Sequence, residues 1–392
     1  MFSPVPAITP PTKVHQKNLL LLINLGVPVG DQAWQQAKLP TTLGGMGLRG
    51  AEDHAPVAYA ASVFDSQGLS QALLGVSLVP PANGEEAEPS AVLQPQSLAA
   101  LAATLGEAVT EEELMGMRQK QLSTRVDLHL HRRLLESVDE EDQREKARLM
   151  SLTLPHVGDW LNVAPIKTLG LHLRSAEFSI VAKYRLGLQV FARDGPCPAC
   201  HRPSDALGDQ AMCCGFGGER ISRHNHLRDA LYETAVAAGL GPVKEGRALL
   251  PGDDRRPADI LVPNWAGGRD AAMDVTVVTP LQAATVAEAA ITPGSALSFA
   301  YQRKVRGAAE DCRREGIAFL PLVVESLGGW HTAAEAEVRK LGAALARQTG
   351  QEEGEVVRHL WGRLGLLLQR GNAAILGNRL PTHPHPAVDG FH

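Results

Sequence analysis

RPADILVP, residues 256–263, and AAMDVTVVTP, residues 271–280, are two short apolar runs separated by the polar stretch NWAGGRD. Both are rich in β-branched residues and punctuated by proline, which reads as two adjacent strands joined by a turn. Side chains alternate faces along a strand. In the second run Met273, Val275 and Val277 therefore share one face, and Asp274 and Thr276 share the other. The apolar face can pack on a helix, which leaves Asp274 on the opposite, polar face. In the first run Asp259 stands just before Ile260, Leu261 and Val262, and Pro257 fixes the approach of the chain. Two strands joined in this way can bring both carboxylates to one sheet edge. A carboxylate pair there can hold a divalent cation, Mg²⁺ or Mn²⁺, against a phosphate. Taken singly, each aspartate is equally a turn or strand-end residue.

Working outward, Glu245 in PVKEGRALLP is a candidate third carboxylate, or a solvent-exposed turn residue. Water activation beside such a pair calls for a lysine, whose ammonium orients the nucleophile and offsets phosphate charge. The simplest place is two residues after the second carboxylate, and that position is Thr276. Lys304, in the helical stretch SFAYQRKVRGAAE, is the remaining candidate, and its long stem can reach a neighbouring strand. RHNHLRD, residues 223–229, opens the helix upstream. Arg223, His224 and Arg228 there, with Arg220, Arg255 and Arg256, can form a basic surface for a phosphate backbone.

The segment CPACHRPSDALGDQAMCC, residues 197–214, holds four of the five cysteines. Such clustering points to a metal knuckle in a reducing compartment more than to a disulfide scaffold. Cys197 and Cys200 form half of a Zn²⁺ site, and Cys213 or Cys214 can give a third ligand. Gln210 stands where a histidine would complete the set, and His201 is crowded against Cys200.

The 392 residues are enough for two or three domains. A net charge of −5 argues against a protein coated in positive charge, though not against a local basic cleft. The apolar run from Leu19 is too short to span a membrane, so the chain is expected to be intracellular, nuclear or cytoplasmic, with no membrane partner and no small-molecule substrate. Residues 1–78 carry helical and turn signals after a Pro-rich start, and 79–96 is a linker by composition. Residues 97–195 are helical, with Leu122, Val126, Leu130 and Leu134 forming an amphipathic stripe and His129 and His131 expected on exposed faces. The knuckle spans 196–218, an α/β domain 219–380 and a tail 381–392.

CPAC, RHNHLRD, RPADILVP, DVTVVTPL, YQRK and PLVVESLGGW, in that order, resemble the C-terminal region of non-LTR retrotransposon proteins with a restriction-like endonuclease. The segment AWQQAKLPTTLGGMGLRG is similar to the stretch just after the polymerase core of such proteins, and GDWLNVAPIKTLGLHLRSAEF to the linker that leads into their knuckle. The resemblance implies an α/β fold: a restriction-endonuclease-like core, with a mixed central sheet flanked by helices, preceded by a mainly α-helical region and a small Cys-rich knuckle. It makes residues 1–78 a remnant of the post-polymerase region. It implies a PD-(D/E)XK nuclease acting on DNA, with element RNA as a further partner. Asp259 matches the PD aspartate, with Ala258 interposed after Pro257. Asp274 matches the second acidic residue, Lys304 a displaced lysine on the helix, and Arg223 and His224 the basic helix start. Cys197, Cys200 and Cys214 match the zinc ligands, and the family's knuckle histidine is Gln210 here. No polymerase motif is present, so reverse transcription is not expected. A catalytically silent remnant that binds nucleic acid or a protein partner is the alternative.

Overall fold

A computed structural model describes residues 25–74, 93, 95–114, 116–244 and 258–380. The Pro-rich start, the apolar run up to Asn24, most of the expected linker, Glu245, Arg255, Arg256 and the tail 381–392 lie outside them. The described chain is mixed α/β and divides into two compact units. The division falls elsewhere than composition suggested. Trp34–Asp139 forms one unit, so the expected helical segment 97–195 is split, and its second half belongs with the knuckle and the sheet.

The Trp34–Asp139 unit is built from α1 (Ala51–Leu74), α2 (Pro95–Leu105) and α3 (Gln119–Glu136). The stripe on α3 does what its spacing requires. Leu122 and Val126 are buried and Leu130 half-buried in one cluster with Val57, Ala60 and Ala61 of α1 and Leu101 and Leu105 of α2. Asp127, beside that stripe, is buried and receives the Arg49 guanidinium at 2.6 Å. His129 and His131 are half-buried on α3 rather than exposed, and burial holds His131 below the usual histidine range.

The other unit contains α4 (Gln143–Ser151), α5 (Ser175–Arg185), a two-stranded hairpin of β1 (Gly195–Pro196) and β2 (Pro203–Ser204), α6 (Asp209–Cys213) and α7 (Glu219–Ala237). Then come β3 (Val243–Lys244), β4 (Ile260–Ala266), β5 (Arg269–Val278), α8 (Ser295–Arg314), β6 (Ala318–Glu325), α9 (Thr332–Thr349) and α10 (Glu353–Gly377). The sheet order is β3-β4-β5-β6. β4 and β5 are antiparallel, and β5 and β6 are parallel, so α8 is the crossover between them. The turn between β4 and β5 is tighter than the seven-residue stretch suggested. Ala266 pairs with Arg269, and only Gly267 and Gly268 lie between, at φ +60° and +83°. Two successive positive φ angles suit glycine and match the twist of a hairpin.

β5 has apolar partners on both faces. Ala271, Met273 and Val275 are buried against Leu227 and Leu231 of α7, Val338 and Leu341 of α9, and Trp361 and Leu364 of α10. On the other side Ala272 packs with Cys312 of α8, and Val278 with Leu297 and Ala300 of the same helix. The face that carries Asp274 is therefore covered by a helix rather than left open.

Two buried polar groups stand out in this unit. Arg223 of α7 donates from Nη1 to Asn372 Oδ1 of α10 at 2.7 Å, and Asn372 Nδ2 donates to the Ser326 carbonyl at 2.7 Å. The two helices meet at Gly371, where an added Cβ would fall 2.6 Å from Arg223 Cβ. Gly371→Ala is expected to destabilise the protein by about 1–3 kcal/mol, because overpacking must push the helices apart. A urea midpoint equal to that of the wild type would show that the helices have room. Glu325, at the end of β6, is fully buried. Burial pushes its carboxyl up from 4.5 to about 8, with the Ser151 hydroxyl offsetting part of the rise. The folded chain thus holds this proton more tightly than the unfolded chain does. The stabilisation is complete below pH 4.5 and is lost as pH rises towards about 8. Glu325→Gln should remove that fall, and denaturation midpoints across the window would expose an unchanged slope.

Candidate functional site

β4 and β5 pair Leu261 with Ala272 and Ile260 with Met273. Continued one residue outward, this register sets Asp259 across from Asp274. Asp259 stands just before β4 and its carboxylate reaches back to α7, whereas Asp274 faces α8, so the two aspartates are neighbours at the end of the β4–β5 pair.

Each carboxylate is held by identified groups. The Val275 N–H donates to Asp259 Oδ2 at 2.7 Å, and His224 Nε2 of α7 lies 3.1 Å from Asp259 Oδ1. Asp274 Oδ2 lies 2.8 Å from Lys304 Nζ and accepts from the Thr276 hydroxyl at 3.2 Å. The Asp274 side chain is only 15 % exposed and that of Lys304 34 %. Burial pushes the Asp274 carboxyl above its ordinary value. The Lys304 ammonium pulls it back, and the neighbouring Asp259 charge adds to the rise. Lys304 reaches Asp274 because α8 lies across β5 and β6.

Asp274, Thr276, Lys304 and His224 line an open cleft of about 400 Å³ with Gly215 and Arg220 among others, and Asp259 stands behind His224. Arg220 and His224 are four apart on α7 and so lie on one helix face. Arg220 is exposed at the cleft and anchored through Nη1 to the Cys213 carbonyl at 2.9 Å. The cleft thus gathers one enclosed carboxylate with a lysine, a histidine and a rim arginine.

The expected basic surface is redrawn. Arg223 is only 3 % exposed. Its Nη1 donates to Asn372, it lines the inner wall of the cleft, and burial, with Arg220 adding like charge, lowers it to about 10. Arg228 is also buried, with Nε 2.9 Å from Asp229 Oδ1. Helix periodicity turns both inward, so neither presents a free cation to a nucleic-acid backbone. His224 does reach the cleft, but its partner is Asp259. Glu245, Arg255 and Arg256 lie outside the described residues. Two features have no reading in the sequence alone. Thr276 stands where a lysine is expected, and its hydroxyl serves Asp274. The contact between His224 and Asp259 spans 35 positions and has no local signal.

The knuckle forms a second cluster. In its tight turn the Cys197 N–H donates to the Arg202 carbonyl, and the His201 N–H donates to the Cys197 carbonyl, both at 2.8 Å. His201 takes the left-handed conformation at φ +59° and is exposed. α6 then delivers Cys214. One ligand atom from each of Cys197, Cys200 and Cys214 lies within 4.8 Å of the others, so this set can hold a metal such as zinc. The choice between Cys213 and Cys214 is thereby made. Cys213 lies outside the set, and burial pushes its thiol up.

The chain matches no protein-family model and no curated protein. Among the described residues, no helix is long and apolar enough to cross a membrane.

If Asp274 senses Lys304 and Asp259 as this geometry requires, Lys304→Met will raise its carboxyl further and Asp259→Asn will lower it. Carboxyl ¹³C NMR titration reads both shifts. An Asp274 midpoint that neither substitution moves would show that the three groups are not coupled.

Proposed function

We propose that this chain is a metal-dependent DNA endonuclease of retroelement origin with a restriction-endonuclease-like core and no reverse transcriptase activity. The observation that carries this reading is the pairing of Asp274 of β5 with Lys304 of α8 at an open cleft, with Asp259 close enough to Asp274 to raise its carboxyl. The donor set fits Mg²⁺ or Mn²⁺ by its chemistry: two neighbouring carboxylates offering hard oxygen ligands. Bound between Asp259 and Asp274, such an ion would offset phosphate charge and make water a better nucleophile at neutral pH.

The chain's own residues supply the rest. The Val275 N–H and His224 orient Asp259 from its two oxygens. Thr276 and Lys304 both engage Oδ2 of Asp274. Lys304, partly exposed at the cleft, orients the attacking water and stabilises charge developing on the phosphate. Arg220 at the rim contacts a neighbouring phosphate. Attack of water on phosphorus with departure of the 3′ oxygen leaves a 5′-phosphate and a 3′-hydroxyl. In this reading DNA is the substrate, element RNA is a candidate further partner, and the place of action is the nucleus or the cytoplasm.

A second reading has one observation in its favour. Lys304 and His224 already engage an oxygen of each carboxylate, as they would in a silent remnant that binds nucleic acid without cutting it. Nicking of supercoiled DNA with Mg²⁺ or Mn²⁺ decides between them. The nuclease should lose at least about a hundredfold in rate on Asp274→Ala or Lys304→Ala, the scale of an electrostatic catalytic contact. Nicking that survives Asp274→Ala undiminished would refute the assignment. Salt-sensitive DNA binding with no metal-dependent cleavage would establish the remnant.

A further inference from the structure

The thiol cluster has a fourth neighbour. Gln210, on α6 four residues before Cys214, places Nε2 3.2 Å from Cys200 Sγ. Its carbonyl oxygen Oε1 is buried and has no hydrogen-bond partner among the described residues. An amide oxygen buried without a protein donor is costly, and its lone pairs are available to a ligand. Zinc bonds of about 2.3 Å to sulfur and about 2.1 Å to oxygen, at tetrahedral angles, set a coordinating oxygen about 3.6 Å from each sulfur. The Gln210 amide already stands at nearly that separation from Cys200.

We infer that Cys197, Cys200, Cys214 and the side-chain oxygen of Gln210 form a four-coordinate zinc site, with the amide as its fourth ligand. Without a metal, the amide N–H donates to the Cys200 sulfur. With a cation among the sulfurs, their lone pairs are engaged, and the amide nitrogen has no lone pair to offer. A half-turn about the Cγ–Cδ bond brings the oxygen to the ion instead. The other candidates do not reach: His201 is exposed on the turn, and neither it nor Cys213 belongs to the cluster. Three thiolates and one Zn²⁺ carry a net negative charge. Arg379, which hydrogen-bonds to Cys214, also pairs with Glu219 at 3.3 Å and donates from Nη2 to the Phe216 carbonyl at 2.7 Å, so it ties the cluster to a neighbouring ion pair. An amide oxygen is a harder and weaker zinc ligand than imidazole. The fourth position should therefore open to exogenous ligands more readily than in a site closed by histidine. This inference does not rest on the nuclease reading.

The test uses the reduced full-length chain with Co²⁺ as a spectroscopic probe and Zn²⁺ in chelator competition. One metal per chain should bind with thiolate charge-transfer bands that Cys200→Ser diminishes. In Gln210→Ala, imidazole should enter the vacated position and shift the cobalt d–d bands at low concentration. In the wild type it must first displace the amide, so half-saturation should lie about tenfold higher. Gln210→His should bind Zn²⁺ about tenfold more tightly than the wild type and resist imidazole altogether. Equal half-saturation in the wild type and Gln210→Ala would overturn the amide ligand, since water would then occupy the fourth position in both. Metal binding unaffected by Cys200→Ser would overturn the site itself.

Discussion

The two-residue period of β5 is the constraint on which the rest of this structure depends. One face of the strand carries Met273 and Val275 into the core between α7, α9 and α10. The other carries Asp274 and Thr276 towards α8. A slip of one residue in pairing would exchange the faces, burying a carboxylate among leucines and leaving the apolar side chains against the cleft. Between the glycine turn at 267–268 and the site, an irregularity in β4 between Val262 and Ala266 shifts the register, and the pairing of Ile260–Val262 with Ala271–Met273 then holds it. The same register sets Asp259 opposite Asp274. The parallel pairing of β5 with β6 requires a crossover, and that crossover is the helix that bears Lys304.

The chemistry of the cleft comes from placing charge where water is scarce. A carboxylate as enclosed as Asp274 needs a cation nearby, and Lys304 supplies one. Asp259 is held by a backbone N–H and a histidine instead of a fixed cation. The site is thus electrostatically balanced yet open on one side, where Arg220 stands. Behind it, Arg223 and Asn372 tie α7 to α10 and so fix the helix that presents both His224 and Arg220. The basic residues of RHNHLRD divide between these two roles. Their helical phase decides which side chain is structural and which faces the cleft.

Much of the fold could be read locally. The strand runs, the stripe of α3 and the alternation of helix and strand from α7 onward depend on periods of 3.6 and 2 that are written into short windows. Other properties depend on distant partners. The burial of Arg223 needs α10, 149 positions away, and the contact of His224 with Asp259 needs the sheet. The boundary of the Trp34–Asp139 unit is set by which helices share a core, and composition does not record that.

The sequence by itself determined the two strands, the carboxylate on each, the lysine on the following helix and the close spacing of the cysteines. These are matters of residue type and short-range period. Tertiary structure alone decided that Asp274 lies under α8 rather than on an open face, that Lys304 reaches it, that Cys214 rather than Cys213 joins Cys197 and Cys200, and that Gln210 closes on their sulfurs. The reason is physical. Local periodicity fixes the direction of a side chain relative to its own backbone, whereas its neighbours are fixed by how separate elements pack.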